Sequence, residues 1–152
     1  MIIKKAEVSD AEEILSLQKL AYKSEAELYN DFNIPPLVQT LEEINKEFKT
    51  HIFLKVIENK EIFGSVRALQ INDETCYIGR LIVHPDFQNQ GIGTELMKEI
   101  EDNFNECQRF ELITGHKSHK NIKLYEKLGY TKFKTEKLTE NLNLVYLEKN
   151  NH

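Results

Sequence analysis

The stretch "VHPDFQNQGIGTELMKEIEDNF", residues 83–104, joins the end of an apolar strand to the start of an amphipathic helix. Two glycines, Gly91 and Gly93, stand where this helix begins, although glycine is among the poorest helix formers. A helix N-terminus exposes four unpaired N–H groups and about half a positive charge. Because glycine has no Cβ, an anion can approach the backbone closely there. The pattern therefore predicts either a phosphate-binding loop or a tight strand-to-helix turn.

Two familiar nucleotide-binding loops do not fit this stretch. A P-loop needs Gly-Lys-Ser/Thr, whereas Gly93 is followed by Thr94 and Glu95. A dinucleotide-binding fingerprint needs three glycines directly after the strand, whereas residues 84–90 intervene here. A phosphate ligand at this loop therefore belongs to another class of cofactor.

The sequence on either side predicts the order β-α-α-β-β-β-α-β-α-β-β. Capping-box pairs Ser9/Glu12 and Thr40/Glu43 predict helices over residues 9–22 and 40–49. A short helix is predicted over residues 23–32, and Pro35 with Pro36 is expected to break any helix there. Further helices are predicted over residues 91–105 and 120–128, the second ended by a glycine.

Antiparallel runs are predicted at both ends of the chain, with one β-α-β crossover between them. The crossover strands, residues 75–83 and 110–114, should be parallel neighbours. We therefore expect the α/β (α+β) class, with a single mixed, mostly antiparallel sheet of about seven strands and helices on both faces. At 152 residues, one domain over residues 1–152 is expected.

Composition bounds the function. The net charge of −5 argues against a nucleic-acid-binding surface over the whole protein. The two cysteines lack the spacing of a structural zinc site, so no metal is expected. No signal peptide and no apolar run of about 18 residues is visible, so we expect a cytoplasmic protein with no membrane partner.

The segment "QNQGIG" after "LIVHPDF" resembles the central motif of the GNAT superfamily of N-acetyltransferases, Q/R-x-x-G-x-G/A. Gln88, Gly91 and Gly93 match its three fixed positions. The later segment "NIKLYEKLGY" resembles the last helix of that family, with Asn121 and Tyr125 in the expected places. The element order predicted above is also that of the family.

The resemblance implies the GNAT fold, with a splayed pair of parallel strands, and acetyl-CoA as co-substrate without a metal. Backbone N–H groups of the loop and helix start would bind the pyrophosphate, without help from a positive charge at position 88. The strand before the loop would pair with the pantetheine arm and supply N–H groups to the thioester oxygen. The implied cofactor-binding residues are Leu81, Ile82, Val83, Gln88, Asn89, Gln90, Gly91, Ile92, Gly93, Thr94 and Asn121.

The implied reaction is direct attack of a primary amine on the thioester in a ternary complex. Tyr125 would be the general acid for the leaving thiolate, since a neutral phenol can donate a proton; alternatively it fills the core. A base for the amine is left open among Glu74, Tyr77, His84, His116 and His119.

Two further groups of residues are either part of a binding site or ordinary solvent-exposed residues. In the family the segment after the first helix lines the acceptor site, and here it carries Glu25, Glu27, Tyr29, Asp31 and Phe32. These residues are either acceptor contacts or a solvated helix face. Lysines 117, 120 and 123 lie near a helix start, where cations are unfavourable. They indicate either a nearby coenzyme phosphate or a solvated cluster.

The acceptor is not evident from the sequence. An N-acetyltransferase of a small amine is our first hypothesis. The alternatives are a protein N-acetyltransferase acting on lysine or an N-terminus, and a non-catalytic acyl-CoA sensor. The last strands could also pair between subunits, which makes a homodimer possible.

Overall fold

Seven strands form one sheet in the computed structural model, which describes residues 1–151. The strands lie in the order β1-β2-β3-β4-β5-β7-β6. Their bounds are β1 Ile2–Lys5, β2 Ile52–Glu58, β3 Glu61–Gln70, β4 Thr75–Val83, β5 Arg109–Gly115, β6 Thr131–Lys137 and β7 Asn143–Asn150. Every neighbouring pair is antiparallel except β4 and β5. The predicted mixed, mostly antiparallel sheet is confirmed.

The parallel pair is joined over only part of its length. Residues Thr75 to Tyr77 of β4 face Arg109 to Glu111 of β5, and the pairing ends there. Beyond Tyr77, β4 continues along β3 while β5 continues along β7. The two strands therefore splay apart toward their carboxyl ends, as the family resemblance predicted.

Helices cover both faces of this sheet. Their bounds are α1 Ala11–Ala21, α2 Lys23–Tyr29, α3 Pro35–Val38, α4 Leu41–Glu47, α5 Ile92–Asp102 and α6 His119–Lys127. Successive residues of β2 enter opposite cores, because side chains alternate along a strand. Phe53 packs with Ile14 of α1, whereas Leu54 packs in the core that contains Leu96 of α5.

Two local predictions were wrong. The Ser9/Glu12 capping box does not form, because a 3-10 turn, Val8–Asp10, precedes α1. Asp10 instead accepts a 2.9 Å hydrogen bond from the Glu7 N–H. The two prolines begin α3 rather than break a helix, since the first turn of a helix needs no N–H donors.

The second capping box forms as predicted. The Thr40 hydroxyl accepts from the Glu43 N–H at 3.2 Å, and the Glu43 carboxylate accepts from the Thr40 N–H at 2.9 Å. This exchange fixes the start of α4. Within residues 1–151, no helix is long and apolar enough to cross a membrane.

A bulge interrupts β4 where it begins to separate from β5. Ser65 of β3 lies opposite Ile82, and Arg67 lies opposite Gly79, so β4 has one extra residue over this step. Arg80 lies within the bulge with a φ of 50°. Bulges redirect side chains, and this one lies at the mouth of the splay.

Candidate functional site

The splay between β4 and β5 is bordered by two cavities. The first, of about 470 Å³, lies against the end of β4, the loop before α5 and the start of α6. The second, of about 280 Å³, lies between the splayed strands, α2 and α3. Four residues line both cavities: Tyr22, Glu25, Leu81 and Asn121. The cavities therefore adjoin.

The glycine loop presents free backbone donors to the first cavity. Gly91 caps α5 in the left-handed region, with a φ of 83°, and no atom would lie within 4 Å of a Cβ there. Helical bonding begins only when Glu95 donates to the Gly91 carbonyl, at 3.1 Å. Among residues 1–151, no acceptor is paired with the N–H groups of Ile92, Gly93 and Thr94. Three amides and the helix dipole are thus available to an anion.

The Gln88 side chain connects this loop to β4. Its Nε2 donates to the Val83 carbonyl at 3.2 Å. His84 donates its N–H to Phe63 of β3, so by strand alternation the Val83 backbone faces the opposite, open side. Gln88 thus occupies one acceptor on the splayed edge and leaves the Val83 N–H facing the cleft.

Most residues expected to bind the cofactor lie together. Leu81, Ile82, Val83, Gln88, Asn89, Gly91, Ile92, Gly93, Thr94 and Asn121 all line the first cavity. Gln90 is exposed and is not among the lining residues. Of the three lysines singled out, Lys120 lines this cavity, whereas Lys117 and Lys123 are exposed elsewhere on the surface.

Tyr125 lies in the wall of the second cavity, on α6. Its side chain is 7% exposed. Burial raises the pKa of Tyr125 well above its usual value, and the nearby Tyr22, Tyr77 and Glu25 add to the rise. The phenol therefore keeps its proton at any working pH.

Glu25 and Tyr29 connect α2 to the turn before α6. The Lys117 N–H donates to the Tyr29 hydroxyl at 2.8 Å, and Ser118 donates to Glu25 at 2.5 Å. Tyr29 and Ser118 oxygens lie 2.8 Å apart, so the Tyr29 hydroxyl donates to Ser118. Asn121 also donates to Glu25, at 3.2 Å. This chain holds the Glu25 carboxylate between the two cavities.

Tyr29 also explains a glycine in β5. A Cβ at Gly115 would overlap the Tyr29 hydroxyl and lie 2.5 Å from its Cζ. Tyr29 is 3% exposed, and burial raises its pKa. Its hydroxyl therefore acts in the protonated form.

The other acceptor candidates lie away from the cavities. Glu27 and Phe32 are exposed, and Asp31 accepts a 2.9 Å hydrogen bond from the Asn33 N–H. None of these three residues lines either cavity. Only Glu25 and Tyr29 of this set face the site.

Of the five base candidates, Tyr77 alone lines a cavity, the second. Glu74 is exposed in the turn before β4, at the end of the strand opposite the splay. His84 accepts from the Asp86 N–H and His116 from the Asn143 N–H, at 3.0 and 2.9 Å, so both rings shape turns. His119 is exposed.

Tyr22 and Arg80 are among the cavity residues that were not anticipated from the sequence. Tyr22, at the junction of α1 and α2, lines both cavities, and Arg80 lines the second. A signal for Arg80 was present, since it is the one charged residue in the strand "TCYIGRLIV". Among residues 1–151, no three His, Cys, Asp or Glu side chains are grouped so as to hold a metal ion.

Comparisons with known proteins agree with this geometry. The family model "Acetyltransferase (GNAT) family" matches residues 12–130. Protein YqkA of Bacillus subtilis, of family UPF0157, is 29% identical over 136 residues, which are 90% of this chain and 39% of YqkA. The chain thus spans about two fifths of that relative.

Solved structures share the fold. The ribosomal-protein-S18-alanine N-acetyltransferase of Escherichia coli superposes with a TM-score of 0.81 at 15% identity, covering 98% of this chain and 92% of that one. The PaiA N-acetyltransferase of Thermoplasma acidophilum, in complex with coenzyme A, gives 0.76 at 16% identity over 98% of both chains. With its splayed strands, glycine loop and family match, this chain belongs to the GNAT family of acetyltransferases.

Proposed function

We propose that this protein is a single-domain N-acetyltransferase that transfers the acetyl group of acetyl-CoA to the primary amine of a small molecule. The observation that carries the proposal is the pair of adjoining cavities. One presents the three free amides of α5, and the other contains the buried phenol of Tyr125. Each cavity suits one of the two substrates of an acyl transfer.

The first cavity suits the donor. Its free amides would bind the pyrophosphate, with Lys120 as an added cation. The open side of β4, with the Val83 N–H, would pair with the pantetheine arm and donate to the thioester oxygen. The PaiA structure, which shares the fold, contains coenzyme A. This supports acetyl-CoA as the co-substrate of the present protein.

The second cavity suits the acceptor. The amine nitrogen would attack the thioester carbon, forming the C–N bond as the C–S bond breaks. Tyr125 would donate its proton to the leaving sulfur and would recover a proton from the attacking nitrogen, which loses its second proton as the amide forms. Glu25, which lies between the cavities, would attract the ammonium form of the amine and receive its proton.

The size of the second cavity favours a small acceptor. At about 280 Å³, with Pro35 and Pro36 in its wall, it would enclose a compact amine. The protein N-acetyltransferase alternative is supported by the fold shared with the E. coli enzyme, whose name specifies a protein alanine. A cytoplasmic location and a homodimer stay predictions.

The decisive experiment measures acetyl-CoA binding by calorimetry and thiol release with a broad panel of amines. We expect binding and turnover of at least one small amine. Tyr125→Phe should lower kcat by about 10²–10⁴-fold and leave the Kd for acetyl-CoA within about twofold, because it removes only the proton donor. Leu128→Ile is the matched control, because Leu128 lies at the end of α6 and lines neither cavity.

Three results would count against the proposal. If the protein does not bind acetyl-CoA, it cannot be an acetyl-CoA-dependent acetyltransferase, and the proposal is wrong. Binding without turnover of any amine or peptide would indicate the sensor alternative. Acetylation of peptide N-termini or lysines alone would indicate a protein N-acetyltransferase.

A further inference from the structure

Of the three arginines, Arg80 is the one for which residues 1–151 provide no carboxylate partner. Arg67 contacts Glu47 at 2.8 Å, and Arg109 contacts Glu111 and Glu148 at 2.8 and 2.7 Å. Within residues 1–151, Arg80 forms no ion pair, and its buried Nε has no hydrogen-bond partner. Leaving a buried donor of a charged group unpaired lowers the stability of the fold. The charge of Arg80 therefore has no counter-charge among the described residues, and an anionic ligand in the second cavity, which Arg80 lines, would supply one.

The backbone at Arg80 is also unfavourable. Its φ of 50° lies in the left-handed region, which is sterically unfavourable for a residue with a Cβ. The neighbouring Gly79 does not occupy a left-handed conformation. The bulge thus places a long cationic side chain, rather than a glycine, where the strand turns into the second cavity. Strain of this kind concentrates at functional sites.

The surroundings of Arg80 are suited to a ligand with two charges. Tyr22 and Tyr77 line the second cavity together with Arg80. Burial raises the pKa of both phenols, and the positive charge of Arg80 opposes the rise. Glu25 supplies a negative charge to the same cavity, whose remaining wall includes apolar Leu112 and Leu142. The cavity therefore combines one cation, one anion and an apolar surface.

We propose that the acceptor amine also carries an anionic group, a carboxylate or a phosphate, and that Arg80 binds it. This inference rests on the proposed acetyltransferase function. The planar guanidinium fork matches both groups and can bind either through two parallel hydrogen bonds. With the ammonium end toward Glu25, the favoured acceptor is zwitterionic. Polyamines, which lack an anion, are poor substrates.

The test compares amines that differ only in the anion. The pairs are leucine with isoamylamine, γ-aminobutyrate with propylamine, and phosphoethanolamine with ethanolamine; putrescine represents the dications. We expect kcat/KM, read from thiol release, to be at least about 10-fold higher for one anion-bearing amine than for its partner without the anion. The carboxylate and phosphate pairs distinguish the two anions.

Variants of Arg80 assign the effect. Arg80→Asn removes the charge, and asparagine tolerates the left-handed region, so the fold should be kept. It should lower kcat/KM for the anion-bearing amine by about 10–100-fold and change kcat/KM for the amine without the anion by less than about threefold. Arg80→Lys keeps the charge but lacks the guanidinium fork. Its kcat/KM for the anion-bearing amine should lie between those of the wild type and Arg80→Asn. Lys98→Gln removes an exposed cation from α5 and should leave the ratio unchanged.

Thermal shifts separate this proposal from the proposed function. In the presence of coenzyme A, the preferred anionic amine should raise the Tm of the wild type and not that of Arg80→Asn, whether or not acetyl transfer occurs. Equal Tm shifts in the wild type and Arg80→Asn, or equal turnover of the amines with and without the anion, would overturn the assignment. Loss of acetyl-CoA affinity in Arg80→Asn would also overturn it, because Arg80 would then bind the donor.

Discussion

Glu25 of α2 accepts a 2.5 Å hydrogen bond from Ser118, the residue just before α6. The two residues are 93 positions apart in the sequence, and their contact lies between the two cavities. It places a carboxylate from the first half of the chain beside the helix that carries Tyr125.

The first prediction concerns this carboxylate. Glu25→Gln removes the negative charge but keeps the size, so we expect kcat/KM for the amine to fall about 10-fold or more. The Kd for acetyl-CoA should change by less than about twofold, since the amides of α5 are untouched. Steady-state kinetics and calorimetry provide the two values.

Glu27→Gln is the matched control, because Glu27 lies on the same helix with its side chain exposed. It should behave like the wild type. Equal losses in the two variants would mean that net charge on α2, rather than the position of Glu25, controls the reaction.

Gly115 gives the second prediction. An alanine there would place its Cβ against the hydroxyl and Cζ of Tyr29, which is fully enclosed. We expect Gly115→Ala to lower the free energy of unfolding by about 1–3 kcal/mol, the usual cost of overpacking. Urea unfolding measures the change. An unchanged midpoint would show that Tyr29 can move away freely, and the chain from Lys117 to Glu25 would then not be rigid.

Gly93 gives the third prediction. Unlike Gly115→Ala, an alanine at this position is not expected to lower the free energy of unfolding. A Cβ there would meet Leu124 at 3.5 Å and Leu81 at 3.7 Å, which are ordinary contacts. Gly93→Ala should therefore be as stable as the wild type or more so, by up to about 1 kcal/mol. Its methyl group would point between two residues of the first cavity, so acetyl-CoA should bind about 10-fold more weakly. Calorimetry with unaltered affinity would show that the coenzyme does not approach α5 this closely.

The sequence predicted what depends on neighbours along the chain. The left-handed Gly129 that follows α6, the Thr40/Glu43 capping box and the strand periodicity are all local, and each has one favoured geometry. The parallel pair followed from the single crossover. Local patterns also misled at Pro35, where a helix begins at the residue expected to end one.

The acceptor cavity was less predictable because its residues come from distant segments. Glu25 and Glu27 look alike in the sequence, and only the packing of α2 against residues 115–118 separates them. Glu74 and Tyr77 are three residues apart, yet only Tyr77 reaches the cavity. Arg80 faces the cavity through a bulge, and a bulge shifts side chains away from simple alternation.

The last prediction concerns stability at low pH. Asp10, ahead of α1, lies 2.7 Å from the Lys55 ammonium and 2.9 Å from the Glu7 N–H. Burial opposes ionisation of Asp10, but these two donors outweigh it and hold its pKa below the usual value. The unfolded chain, with a pKa of about 3.9, binds the proton more readily. The stabilisation is therefore complete above pH of about 4 and is lost as the pH falls through the lower, folded-state pKa.

Asp10→Asn should accordingly be less stable than the wild type by about 1–3 kcal/mol at pH 7, because it loses the ion pair with Lys55. The difference should shrink as the pH falls below about 4, since the wild-type carboxyl then becomes protonated. Urea unfolding at pH values from about 7 to 3 measures the difference, with Glu12→Gln as the control for an exposed carboxylate in the first turn of α1. A difference that stays constant over this range would mean that Asp10 acts through shape rather than through charge.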